Sequence, residues 1–98
     1  MVVVVTYDEN GGFWDHAAPP KADRWGPGSR IPAIIASPYA KNGVVDHTFY
    51  DTSSILLLIT HRFGLPLLPG LAARNAALSA HGSPPPGDLT AALELPAR

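Results

Sequence analysis

The sequence predicts an α/β fold: an incomplete parallel sheet with helices and long ordered loops. Three observations carry that expectation. Val2–Tyr7 is a nearly continuous β-branched run, the pattern of a strand buried on both faces in a parallel sheet. Residues 51–63 open with Asp51-Thr52-Ser53 and place Ile55, Leu58, Ile59 and Phe63 at helical spacing, which reads as a capped amphipathic helix with a buried stripe. Ile31–Ser37 reads as a second strand, so strand, loop, strand and helix come in series. Two strands leave a parallel sheet short of neighbours, and the sequence reads as one edge of something larger.

The elements follow from local signals. Residues 10–30 are rich in Gly, Pro and polar residues, with Gly11-Gly12, Pro19-Pro20 and Gly26-Pro27-Gly28 as punctuation. Loops this long inside compact domains are functional or disordered, and Phe13, Trp14 and Trp25 favour order. In the second strand, Pro32 stands near the start, where a missing N–H is tolerated, and Pro38 closes it. Lys41-Asn42-Gly43 is a turn, and Val44–Tyr50 is short, mixed and extended. Gly64 followed by Pro66 stops the first helix. Leu71–Ala80 favours a second, weaker helix. Pro84-Pro85-Pro86-Gly87 then breaks the chain, and Leu89–Leu95 forms one more short helix or frays. The expected division is residues 1–80 as the domain part and residues 81–98 as a Pro/Gly-rich tail with room for that short terminal helix.

Composition excludes several classes. The 98 residues suffice for one small domain, and 46% hydrophobic content allows it a core. The formal net charge is −1 with no Lys/Arg run, so neither a nucleic-acid footprint nor a polybasic membrane patch is expected. The absence of cysteine removes disulfides, thiolate metal sites and a cysteine nucleophile. Outside the first strand the longest apolar run, Ile55–Ile59, is far too short to span a bilayer. Met1 abuts the strand with no basic segment or cleavage site of a secretory signal. This start reads as that of a fragment and leaves localisation open.

The chemistry concentrates after the first strand. Asp8 and Glu9 stand where it ends. Within a regular strand adjacent carboxylates point to opposite faces and cannot share an ion, but a twist at the strand end relieves this. Asn10-Gly11-Gly12 supplies such a twist. Asp15-His16 adds a carboxylate and an imidazole. These are donors suited to Mg, Mn, Ca or Zn. An acidic pair before Asn-Gly-Gly is equally an ordinary polar turn, and residue chemistry alone leaves both readings open. Among the other histidines, His47 lies in Asp46-His47-Thr48 just before the first helix. His61 suits that helix's carbonyl end, and His81 a solvated turn. Ser53 and Ser54 read as capping residues rather than nucleophiles, since no Gly-x-Ser-x-Gly surrounds them.

Thr6-Tyr7-Asp8-Glu9-Asn10-Gly11-Gly12-Phe13-Trp14-Asp15-His16, then Gly26-Pro27-Gly28-x-Arg30-Ile31-Pro32 and Ser37-Pro38-Tyr39-Ala40-Lys41, resembles the phosphoesterase family of bacterial acid phosphatases and phospholipases C. The likeness continues through Val45-Asp46-His47-Thr48, Tyr50-Asp51-x-x-Ser54-Ile55 and Phe63-Gly64-Leu65-Pro66, covering about residues 2–80 in order. It is nearest to the acid phosphatase branch. The resemblance implies part of the α/β sandwich of the alkaline-phosphatase-like superfamily, with Asp8 and Glu9 as ligands of a divalent metal ion. It places Asp15 and His16 at the edge of the site and lets His47 approach the phosphate, so His16 and His47 are its catalytic candidates. The family's Ser/Thr nucleophile and its Glu-Asn metal pair lie far upstream and have no counterpart in this chain. Leu57-Leu58 and Asn75 depart from residues usual in the family.

The expected function is therefore that of the C-terminal metal-binding part of a phosphoric-ester hydrolase. It would act on a phosphoester substrate by metal-assisted attack of a nucleophile this chain lacks, and so be weakly active or inactive alone. The alternatives are a non-enzymatic metal- or ligand-binding module, or one half of a split protein completed by an upstream N-terminal partner chain.

Overall fold

A computed structural model describes residues 1–8, 16–19, 23–24 and 28–97. The chain divides into two compact units, Met1–Ala40 and Lys41–Arg98.

In the first unit, strands β1 (Val3–Thr6) and β2 (Ala33–Ala36) form a two-stranded antiparallel ribbon. Val3 pairs with Ala36, Val4 with Ile35, Val5 with Ile34 and Thr6 with Ala33. The parallel sheet expected from the β-branched run is corrected here. That run fixes extended backbone, not strand direction. Direction follows from the connection, which leaves after Thr6 and re-enters at Ala33, its partner across the ribbon. A parallel pair needs a crossover to the opposite end. Thr6 Oγ1 donates to Pro32 O at 2.8 Å and latches this end of the ribbon.

Side chains alternate across the pleat, so Val3, Val5, Ile34 and Ala36 share one face, and Val4 and Ile35 share the other. Val4 and Ile35 are half-buried, whereas Val3, Val5 and Ile34 are 43%, 55% and 65% exposed. The double burial expected of β1 is therefore not found within the described residues. Among the described residues the first unit supplies strands and the second helices, an α/β content that does not by itself establish the sandwich that the resemblance implies.

The second unit holds α1 (Ser53–Phe63), α2 (Pro69–Ala80) and a 3-10 turn at Thr90–Ala92. Thr52 already has helical dihedrals, so Asp51 acts as the cap. Its Oδ1 accepts the Ser53 N–H at 2.8 Å, while Ser54 Oγ accepts the Asp51 N–H at 3.1 Å. This reciprocal pair is a capping box with serine in the place of the usual Glu or Gln. At the other end Gly64 takes φ 61°, and the Leu65 N–H reaches Thr60 O at 2.9 Å, a Schellman-type closure. Both ends agree with the sequence.

The buried face of α1 does not. Ser53, Ser54, Leu57 and Thr60 are buried, while Ile55, Ile59 and Phe63 of the expected stripe are exposed. Hydroxyls can be buried here because each is satisfied locally: Ser54 Oγ by the cap, and Thr60 Oγ1 by Leu57 O at 2.8 Å. Proline at the first position starts α2 without wasting an N–H. Among the described residues Leu57, Leu78, Leu89 and Leu93 are the buried hydrophobics, and Leu89 and Leu93 come from the segment after α2. Leu89 holds φ 71°, costly for a branched residue, with its side chain buried.

Candidate functional site

The second unit uses one polar device three times. Asp46, Asp51 and Asp88 each precede a Thr or Ser by two positions, and each accepts both the backbone N–H and the hydroxyl of that residue through Oδ1. The distances are 2.9 and 2.7 Å from Thr48 to Asp46, 2.8 and 2.5 Å from Ser53 to Asp51, and 3.1 and 2.5 Å from Thr90 to Asp88. Asp and Ser/Thr side chains readily make such local turns. The second oxygen then takes a further partner, long-range for Asp51 and Asp88. Tyr50 OH donates to Asp46 Oδ2. Arg74 Nη1, from α2, donates to Asp51 Oδ2 at 2.5 Å. His61 Nδ1, from the last turn of α1, lies 2.6 Å from Asp88 Oδ2. An ionised carboxylate only accepts, so the imidazole carries its proton on Nδ1.

Electrostatics follow this geometry. Burial alone raises the Asp46 carboxyl, but hydrogen bonds from Tyr50 and Thr48, with the charge of Lys41, outweigh it and hold the group below its usual 3.8. Burial, then the hydrogen bond to Asp46, pushes the Tyr50 phenol up to about 12. For Asp88 burial is again outweighed, by Thr90 and His61, and the carboxyl lies below its usual range. These three carboxylates are committed to the fold and are poor candidates for metal ligands. Sequence reading found the cap at Asp51 but missed the partnerships of Arg74 and Asp88. The repeated Asp-x-Ser/Thr spacing was the available signal for the local half of each clamp; the distant partners have none.

The candidate site residues lie elsewhere. Asp8 is exposed, two residues past the end of β1. Its neighbour Glu9, and Asp15, lie outside the described residues. His16 is exposed in a bend of the first unit. His47 belongs to the second unit, where it is exposed between Asp46 and Thr48, its backbone held by their clamp. Among the described residues no three of His, Cys, Asp and Glu gather into a group able to hold a metal ion. Asp8 itself carries oxygen donors, the ligand type that a hard divalent cation takes. No described helix is long and apolar enough to cross a membrane.

Among known protein families, the model described as the phosphoesterase family matches residues 1–66. Phospholipase C B of Mycobacterium tuberculosis is 32% identical over 120 aligned residues, covering 97% of this chain and 21% of that protein. Phospholipase C A of the same organism is 32% identical over 117 residues, covering 95% and 21%. A non-hemolytic phospholipase C of Burkholderia pseudomallei is 33% identical over 85 residues, covering 60% and 12%. The chain thus spans about a fifth of the length of the first two relatives. No solved structure matches it.

Proposed function

The chain belongs to the phosphoesterase family, and from that premise we propose that it is the metal-binding part of a phosphoric-ester hydrolase. Asp8 and Glu9 are the proposed ligands. The observation that carries this reading is the position of Asp8: exposed, just past the end of a strand, and within the matched residues. A divalent cation held there supplies positive charge to phosphoryl oxygens. In this reading, the chain's own part is to present carboxylate oxygens to the ion. His16 and His47 are the proposed catalytic residues, because an imidazole can pass a proton to a departing oxygen. The relatives are named phospholipases C, which favours a phospholipid ester as the substrate class.

Titration calorimetry of the purified chain with Mg²⁺, Mn²⁺, Ca²⁺ and Zn²⁺ tests the ligand assignment. Binding of one ion that is lost in Asp8→Ala is expected. Equal binding by that variant removes Asp8 from the site. A parallel assay on a chromogenic phosphomonoester and on phosphatidylcholine vesicles is expected to show little turnover, because catalytic groups act as a unit and lose nearly everything when separated. Metal-dependent turnover that vanishes in Asp8→Ala shows instead a complete site in this chain.

A second reading is supported by the open ribbon face of Val3, Val5 and Ile34. A two-stranded ribbon is marginal alone, and apolar faces of this kind mark interaction sites. In this reading the chain completes a sheet supplied by the remainder of a phosphoesterase domain.

A further inference from the structure

The turn that opens the second unit carries Asn42 followed by Gly43. We propose that Asn42–Gly43 is a self-modification site, where the folded chain converts asparagine to aspartate and isoaspartate through a cyclic imide. The reaction requires the main-chain nitrogen of the next residue to reach the asparagine Cγ. A side chain on that residue, or hydrogen bonds that hold either group, obstruct it. Neither obstacle is present. Gly43 has no side chain, takes φ 63°, and has nothing within 4 Å of where a Cβ would stand. Asn42 is exposed. Neither residue has a hydrogen-bond partner among the described residues. Asn75 supplies the contrast: it sits inside α2, its Oδ1 is buried, and Ala76 comes after it.

The balance is simple. The Gly43 nitrogen gives up its proton to solvent base and bonds to Asn42 Cγ. The Cγ–Nδ2 bond breaks, and the nitrogen leaves as ammonia with a proton from solvent, closing a five-membered imide. One water then opens the ring. Attack at Cγ restores the ordinary linkage as aspartate. Attack at the main-chain carbonyl cuts that bond and leaves the chain running through the side-chain carbon, as isoaspartate. One water is consumed and one ammonia released, with no change of oxidation state. Either product moves the formal net charge from −1 to −2. Isoaspartate also lengthens the main chain by one methylene, next to Lys41, whose N–H is bonded to Ala92 O at 3.0 Å. The modified site is a substrate for an enzyme that methylates isoaspartyl carboxylates.

The test is incubation of the purified 98-residue chain at mildly alkaline pH, folded and in urea, then peptide mapping and labelling with an isoaspartyl methyltransferase. Conversion at Asn42 is expected in the folded sample at a rate within a few-fold of that in urea. Asn75 keeps its amide in the folded sample. Asn42→Gln, with an unchanged circular dichroism spectrum, loses both the Asn42 conversion and the methyl label on that peptide. The same map reads Asn10–Gly11, which lies outside the described residues, as a separate peptide. Retention of the Asn42 amide in the folded chain while the urea sample converts, or label confined to Asn10, overturns the proposal.

Discussion

At Gly87 only a hydrogen fits. A Cβ there would stand 2.9 Å from both Thr48 Cγ2 and Tyr50 Cε1, and the Gly87 N–H is bonded to Phe49 O at 2.9 Å, so the backbone cannot easily back away. Gly87→Ala is expected to cost about 1–3 kcal/mol, the range for overpacking, read as a lowered urea midpoint. Beside it, Tyr50 links the fold to pH. Its phenol titrates at about 12 in the folded chain and near 10 when unfolded. Its contribution is therefore complete below the unfolded value and falls as pH rises between the two, because only the unfolded chain has then released the proton. Asp46 works the other way: its contribution is complete above the unfolded value of 3.8 and is lost as pH falls through its lower folded value. Urea midpoints measured from neutral pH to pH 12 are expected to fall more steeply for the native chain than for Tyr50→Phe. Parallel curves would show that the phenol is not shifted.

At the scale of elements, α1 is held by its ends and not by its apolar stripe. Asp51 caps it and pairs with Arg74 of α2, so one carboxylate fixes where one helix begins and ties the other to it. Asp51→Ala is expected to lose about 1–2 kcal/mol for the cap, with more from the charge pair. Asp51→Asn should recover the cap alone. Far-UV circular dichroism during urea unfolding separates the two. These helix ends were legible in the sequence because a cap or a C-terminal glycine is written within a few neighbouring residues. The buried face was not, because helical spacing at Ile55, Leu58, Ile59 and Phe63 fixes which residues share a side but not which side meets the core. Here the small hydroxyls, satisfied by their own backbone, took the inner side. The direction of β2 was illegible for a similar reason: β-branched residues specify extension, and orientation is set by where the loop returns. Asp8 is a candidate through its place in a long ordered motif alone, whereas the reach of Asp88 to His61 joins residues far apart in sequence with no pattern between them.

For the whole molecule, the open ribbon face governs behaviour in solution. Exposed Val3, Val5 and Ile34 on an uncovered strand pair favour association. Mixed with a related phospholipase C from which the matching segment has been deleted, the chain is expected to co-elute on size exclusion, and Val5→Lys should abolish this. Self-association of the chain alone, equally sensitive to Val5→Lys, would instead assign the face to a second copy. Both units also depend on residues late in their own segments. Ala33–Ala36 completes the ribbon, and Leu89 and Leu93 complete the leucine core.

The latch between Thr6 and Pro32 has one more consequence. Because the connection departs and returns at adjacent partners, its length is uncoupled from the pairing of the strands. Residues can be added or removed between them without sliding Val3 away from Ala36. A change of length in this stretch therefore leaves the pairing of β1 with β2 as it is.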